Sequence, residues 1–293
     1  MQTGYRPRRS VLYVPASNEK ALAKAASLAC DAVVVDLEDA VAPDAKGEAR
    51  ARLEGFFSSR KAGGPELVVR INALASEWGA ADLEAACACR PAAILLPKVD
   101  GPRDLLDAND RLDAMDASPD MSLWAMVETP RGMLNLGAIA ELGRDRGARL
   151  ACLVAGTNDL VKETGVRATP DRRFLVPWLM QIVLAARAGG LDALDGVSND
   201  FRNLEAFAQE CDQGRAMGFD GKTLIHPAQI DPADRAFSPS QAELSDARRI
   251  ADAFEEPENA GKGVISIDGR MVERLHLEQA RRLLAKAATQ RGS

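Results

Sequence analysis

The run AVVVDL at residues 32–37 decides the fold. It is continuous in valine instead of alternating apolar and polar residues, as a parallel strand buried on both faces should be. Toward the N-terminus, SVLYVP at 10–15 reads as a strand, and a helix over 18–29 follows it with Asn18 as its cap. A helix over 44–61 follows the opening run. The alternation then continues with strands at 67–71 (LVVRI), 92–97 (AAILLP), 123–128 (LWAMVE), 149–155 (RLACLVA), 191–197 (LDALDGV) and 221–226 (GKTLIH). Helical stretches at 80–89, 102–114, 131–144, 174–188 and 202–217 separate them, with a polar stretch over 156–172. Eight such strand–helix units predict an α/β fold, a (β/α)₈ TIM barrel over residues 1–237. An open doubly wound sheet is the structural alternative. It would not be a dinucleotide-binding one, because PASNEK at 15–20, after the first strand, holds no glycine.

Residues 238–293 have a different character. Ser240 and Glu243 form a capping box ahead of a helix, and GKGVISIDGRMVE at 261–273 alternates like a hairpin with its turn at Asp268-Gly269. A last helix spans 274–288. This helix–hairpin–helix extension is too small to stand alone and is expected to pack on the barrel or on a neighbouring subunit.

The 293 residues carry 37 Lys+Arg against 43 Asp+Glu, a net charge of −6. That balance gives no field for nucleic acid or an anionic membrane, so an anionic ligand needs local arginine or lysine. No apolar run is long enough to cross a bilayer. Five cysteines without framework spacing read as free thiols of a reducing compartment, and the cytoplasm is the expected location. The chain has two histidines, His226 and His276, which excludes a site built within it on several imidazoles.

In a TIM barrel the active site lies at the C-terminal ends of the strands. There the sequence places Glu38 and Asp39, Arg70 and Asn72, Lys98, Glu128, Asp159, Asn199 and Asp200, and His226, in strand order. Carboxylates crowded on one face require a cation. Mg²⁺ fits, being a hard ion that takes oxygen ligands and keeps waters. Glu128 and Asp159 are the candidate ligands, with Glu38 and Asp39 holding its waters. Plainer roles stay open: Glu128 as an ion-pair partner of Arg70 or Lys98, Asp159 as the N-cap of a short helix starting near Leu160, and Asp39 as the cap of a helix after Ala40. Arg70 offers a planar fork for a carboxylate of the site or of a substrate. Lys98 is a second substrate-binding candidate, open to Schiff-base or ion-pair roles. His226 reads either as catalytic or as the partner of a loop carbonyl.

The stretches RSVLYVPAS, DAVVVDLEDAVAPDAK, VVRINA, ILLPKV, VETPRG, AGTNDL, DGVSNDF, GFDGKTLIHPAQI and AFSPS run from Arg9 to Ser240, and GKGVISIDGRMV extends them. In this order they resemble the citrate lyase β-subunit family, which includes malyl-CoA and citramalyl-CoA lyases. The resemblance implies a TIM barrel, Mg²⁺ on Glu128 and Asp159, outer acids at Glu38 and Asp39, a substrate carboxylate on Arg70, and a homo-oligomer, a trimer or hexamer. It implies a substrate that is a 3-hydroxyacyl thioester of CoA or of an acyl carrier protein, cleaved at a carbon–carbon bond to an acyl thioester and a 2-keto acid. One departure stands out. Where family lyases carry a tail aspartate that reaches a neighbouring subunit's site, this chain has Glu273, longer by a methylene. Glu273 is the candidate catalytic base, and the change opens the choice between lyase and thioesterase. Glu77 beside Trp78 is a second departure. The alternatives are a Mg²⁺-dependent aldolase on free 2-keto-4-hydroxy acids, an acyl-CoA thioesterase, or a β subunit inert outside a carrier-protein complex. Arg8, Arg9 and Lys20 are the candidates for holding CoA.

Overall fold

The computed structural model describes residues 6–25, 27–59, 63–259 and 261–290. Arg8–Phe237 form one compact unit; Ser238 onward, with Arg6 and Pro7, form another.

In the first unit eight parallel strands close on themselves: β1 (Ser10–Pro15), β2 (Ala32–Asp36), β3 (Glu66–Arg70), β4 (Ala93–Leu96), β5 (Ser122–Val127), β6 (Leu150–Ala155), β7 (Asp192–Asp195) and β8 (Gly221–Leu224), with β8 pairing back onto β1. The valine run does what its composition requires. Ala32 and Val34 pack into the barrel lumen with Val68, Leu95 and Trp124, while Val33 and Val35 pack outward in the layer shared with the helices. All four are wholly buried, so hydrophobic burial on both faces fixes β2 at the centre of the fold.

The helices around the barrel are α1 (Glu19–Ala25), α2 (Lys46–Ser58), α3 (Gly79–Cys89), α4 (Pro102–Ala114), α5 (Pro130–Leu134), α6 (Leu136–Glu141), α7 (Thr157–Thr164), α8 (Val176–Gly189), α9 (Leu204–Met217) and α10 (Ile230–Phe237). Asn18 caps α1 as expected, its Oδ1 accepting the Ala21 N–H at 3.0 Å. The stretch expected as one helix over 131–144 is broken at Asn135, whose side chain donates to the Asp100 carbonyl at 2.7 Å and ties the break to the loop after β4. The polar stretch after β6 holds α7, and α10 was not expected at all. Its buried Ile230, Ala233, Ala236 and Phe237 nonetheless have helical spacing.

Behind β7 and β8 lies a buried charge cluster. Lys222 donates to Asp195 at 3.1 Å and to Glu210 at 2.7 Å, and also to the Gly196 carbonyl. Arg172 donates from Nη1 to both oxygens of Asp195, at 2.8 and 2.7 Å. Burial opposes ionisation of Asp195, and the two cations outweigh it, holding its carboxyl below the usual range.

In the second unit α11 (Gln241–Glu255), the hairpin β9 (Val264–Ile267) with β10 (Arg270–Glu273), and α12 (Arg274–Gln290) enclose a small core of Ala251, Phe254, Ile265, Val272 and Leu277. Asp268 and Gly269 have φ of 50° and 78°, the paired left-handed turn that a two-residue hairpin demands.

Candidate active site

The site starts from a bond the sequence did not single out. Asp36 ends β2 in register with Arg70 at the end of β3. Arg70 donates to both oxygens of Asp36, from Nε at 2.7 Å and from Nη2 at 2.6 Å. The same carboxylate accepts the backbone N–H of Glu38 at 2.9 Å and of Ala40 at 3.3 Å. Asp36 therefore folds the chain after β2 into a turn and presents Glu38 and Asp39; no helix begins directly after Ala40 for Asp39 to cap, the next helical turn starting at Pro43 with Ala42 at its cap position. Arg70 Nη1 lies 2.8 Å from Glu38 Oε2 and 3.8 Å from Asp39 Oδ2. Burial weighs against the Arg70 charge, and Asp36 more than offsets it, so the guanidinium stays protonated.

Lys98 is the second junction. Its φ is 51°, left-handed and unusual for a side-chain-bearing residue, and this turns its backbone N–H onto Glu128 Oε1 at 2.7 Å. Its ammonium donates to Glu38 Oε1 at 2.7 Å. Lys98 is thus committed to Glu38; its ion-pair partner is not Glu128. Glu128 is 1% exposed. Burial, with the nearby Glu38 charge adding, pushes its carboxyl up to about 8. Burial likewise raises Glu38, against the pull of Arg70 and Lys98.

Asp159 reaches the site from the first turn of α7, where aligned peptide dipoles favour an anion. It is not the N-cap the sequence allowed: the helix begins at Thr157 with Gly156 at the cap position. Gly156 is required there, because a Cβ would stand 2.3 Å from Glu128 Cβ and 2.7 Å from Glu128 Oε2. Asn158 and Asn199 hydrogen-bond each other at 2.9 and 3.3 Å, joining α7 to the loop after β7.

Tyr13, Asp36, Arg70, Met126, Glu128 and Asp159 all line one cleft of about 310 Å³ at the barrel mouth. A second hollow, lined by Glu38, Asp39, Lys46, Trp78 and Lys98, lies on the other side of the Glu38-Asp39 turn. Among the described residues no group of three or more His, Cys, Asp or Glu gathers as a ready metal cage. Two carboxylates are what Mg²⁺ takes from a protein when waters and substrate fill the rest of its octahedron. A carboxyl raised by burial and then by its carboxylate neighbours, cradled against a glycine with no room for a Cβ, is an environment that a divalent cation relieves. The residues present fit the ion.

Several expected site residues of the barrel do not line this cleft. Arg8 and Arg9 stand at the entry of β1, the opposite end of the barrel. Arg8 is tied to Glu66 at 2.8 Å and Asp192 at 2.7 Å, and Arg9 to Asp31 at 2.7 Å. Barrel closure, not ligand binding, occupies both guanidiniums. Lys20 is exposed on α1. His226 Nδ1 accepts the Ala228 N–H at 3.1 Å, so the ring serves a backbone donor instead of a carbonyl, and it stacks on Phe201 at 4.6 Å. Glu273, in the second unit, ends β10, and its backbone N–H donates to His276 Nδ1 at 2.9 Å. Sequence reading missed Asp36, Tyr13 and Met126, and placed Gly156 after the sixth strand without giving it a role. The signal for Asp36 was its place at the end of the valine strand, the position that pairs in register with Arg70.

A family model described as HpcH/HpaI aldolase/citrate lyase matches residues 9–227. The (3S)-malyl-CoA thioesterase of Cereibacter sphaeroides is 50% identical over 282 residues, covering 96% of this chain and 95% of its own. The mitochondrial citramalyl-CoA lyase of Rattus norvegicus is 35% identical over 295 residues, covering 97% and 87%. The crystal structure of protein CitE from Mycobacterium tuberculosis in complex with magnesium, acetoacetate and coenzyme A is 30% identical with a TM-score of 0.76, covering 96% of this chain and 98% of that one.

Proposed function

The chain belongs to the HpcH/HpaI aldolase/citrate lyase family, a family of carbon–carbon lyases with magnesium as cofactor, and from that premise we propose that it cleaves a malyl-type 3-hydroxyacyl-CoA thioester. The observation that supports this most is the meeting of Arg70, Glu128 and Asp159 in one cleft. In this reading Glu128 and Asp159 hold Mg²⁺, with Glu38 and Asp39 behind them. When bound, the ion polarises substrate oxygens and eases loss of a proton from a hydroxyl or a water. Arg70, kept in one plane by Asp36, orients the substrate carboxylate. Lys98 fixes Glu38 through its ammonium and Glu128 through its backbone N–H, so both acids keep their places without a substrate.

Two bonds of such a substrate are open to cleavage. Breaking the carbon–carbon bond gives a shorter acyl-CoA and a 2-keto acid. Adding water across the thioester gives the free hydroxy acid and the CoA thiol. The relative at 50% identity is named for hydrolysis and the one at 35% for carbon–carbon cleavage, which favours hydrolysis as the net reaction. Glu273 is the proton-transfer base, supplied from a second copy of the chain in a homo-oligomer. Its extra methylene, compared with the aspartate of family lyases, alters where a proton is taken and so which bond breaks.

The test is incubation with Mg²⁺ and (3S)-malyl-, citramalyl- and citryl-CoA in turn, with free thiol and keto acid followed separately. Thiol release from malyl-CoA without keto acid, abolished by chelator and by Glu273→Gln, is expected. Keto acid without thiol would make the chain a lyase. Neither product from any thioester would overturn the reading in favour of a carrier-protein subunit or a free-acid aldolase.

A further inference from the structure

Tyr13 stands on β1 two residues after Val11, with its side chain packed against the lumen cluster. In a closed ring of eight strands β1 and β5 are opposite each other. Tyr13 Oη nevertheless meets Met126 Sδ of β5 at 3.9 Å. The phenol therefore spans the lumen, and both residues line the floor of the cleft. Arg70 Nη1 reaches the same sulfur at 3.7 Å, and the guanidinium lies 4.9 Å over the Tyr13 ring. Two good donors thus converge on a thioether, among the weakest acceptors a protein offers. Asp36 holds Nε and Nη2 of Arg70, and Nη1 pairs with Glu38 Oε2 at 2.8 Å while also donating to the sulfur, so Nη1 is the edge of the fork that faces both Glu38 and this point. Burial, reinforced by Asp36, Glu128 and Glu38 against the opposing charge of Arg70, keeps the phenol in its O–H form well beyond neutral pH.

We propose that Tyr13 is a substrate-binding residue: its hydroxyl and Arg70 Nη1 form a two-donor subsite in which an oxygen of a 2-keto or 2-hydroxy carboxylate replaces the Met126 sulfur. This rests on the reading of the cleft as a site for such acids and adds to it a second donor beside the arginine. An oxygen shared by an O–H and a guanidinium N–H is recognised from two directions, which selects an acid placed over the barrel axis. Loss of one hydrogen bond to a charged acceptor weakens binding about ten- to a hundredfold.

The experiment is calorimetric binding of pyruvate to the Mg²⁺-loaded protein and to Tyr13→Phe, with Mg²⁺ affinity measured separately in the absence of acid. Tyr13→Phe is expected to lose about ten- to a hundredfold in pyruvate affinity while its Mg²⁺ affinity stays within about twofold. Unchanged pyruvate affinity overturns the subsite and leaves the proposed function standing. An equal loss of Mg²⁺ affinity also overturns it, assigning Tyr13 to packing alone. A wild-type protein that neither binds pyruvate nor turns over any of the thioesters overturns the proposed function, and the subsite with it. A second measurement needs no change at Tyr13. The chain has two tyrosines, so fluorotyrosine incorporated throughout gives two ¹⁹F signals, and Tyr5→Phe assigns the one belonging to Tyr13. Pyruvate is expected to shift the Tyr13 signal, and an unmoved signal at saturating pyruvate overturns the subsite.

Discussion

Individual side chains carry most of the chemistry here, and two of them make sharp demands. Gly156 leaves no space for a methyl group beside Glu128, so Gly156→Ala must push the carboxylate out of place. We expect Mg²⁺ affinity to fall at least about tenfold, by analogy with the loss of a partner that orients a ligand. A metal titration showing wild-type affinity would contradict this. Glu128 makes the second demand. Its folded carboxyl stands at about 8, above the value of about 4.3 in an unfolded chain, so the folded state holds the proton more tightly. The stability this contributes is fully present below the unfolded value and is lost as pH rises through about 8. Metal-free wild type should therefore lose stability relative to Glu128→Gln between pH 5 and pH 8, and denaturant melts across that range would read it. A constant difference would contradict the assignment. At this scale the sequence was legible for charges at strand ends, since barrel geometry alone sends Arg70, Lys98, Glu128 and Asp159 to one face. Partners were not legible. DLED offers three acids within four residues, and the strand register decides that Asp36 takes Arg70.

Elements hold these side chains in place. The buried cluster behind β7 and β8 binds strand, helix and loop together: Lys222 from β8, Asp195 from β7, Glu210 from α9 and Arg172 from the loop ahead of α8. Lys222 is wholly buried, so Lys222→Met leaves Asp195 with one cation fewer in a dry setting. Breaking such a network costs about 3–5 kcal/mol, and thermal melts should show a clear fall in midpoint. A midpoint unchanged within a degree would mean the charges are solvated in ways the packing denies. The strands were readable because period and composition agree, and α4 falls over 102–114 as expected, with Pro102 at its first position. The break at Asn135 was not readable, since it depends on a hydrogen bond to Asp100, in a different loop. Nor was α10, whose short amphipathic turn lies under the shadow of the preceding motif.

For the whole molecule, a net charge of −6 surrounds a cleft that Arg70 lines, so any attraction of an anion to it is local. No helix among the described residues is long and apolar enough to cross a membrane. Closure of the barrel followed from counting strand–helix units, and the family from motifs spread over most of the chain. The choice between breaking a carbon–carbon bond and a thioester did not follow, because both begin from the same bound substrate and differ by small placements of a base and a water. In the proposed function both reactions depend on the pair of carboxylates. The most direct measurement is therefore equilibrium binding of Mg²⁺ to the wild-type protein and to the Glu128→Gln and Asp159→Asn variants, with folding checked by circular dichroism. One site per chain in the wild type, weakened at least about tenfold in each folded variant, is the expected result. Wild-type Mg²⁺ affinity in both variants would contradict the account.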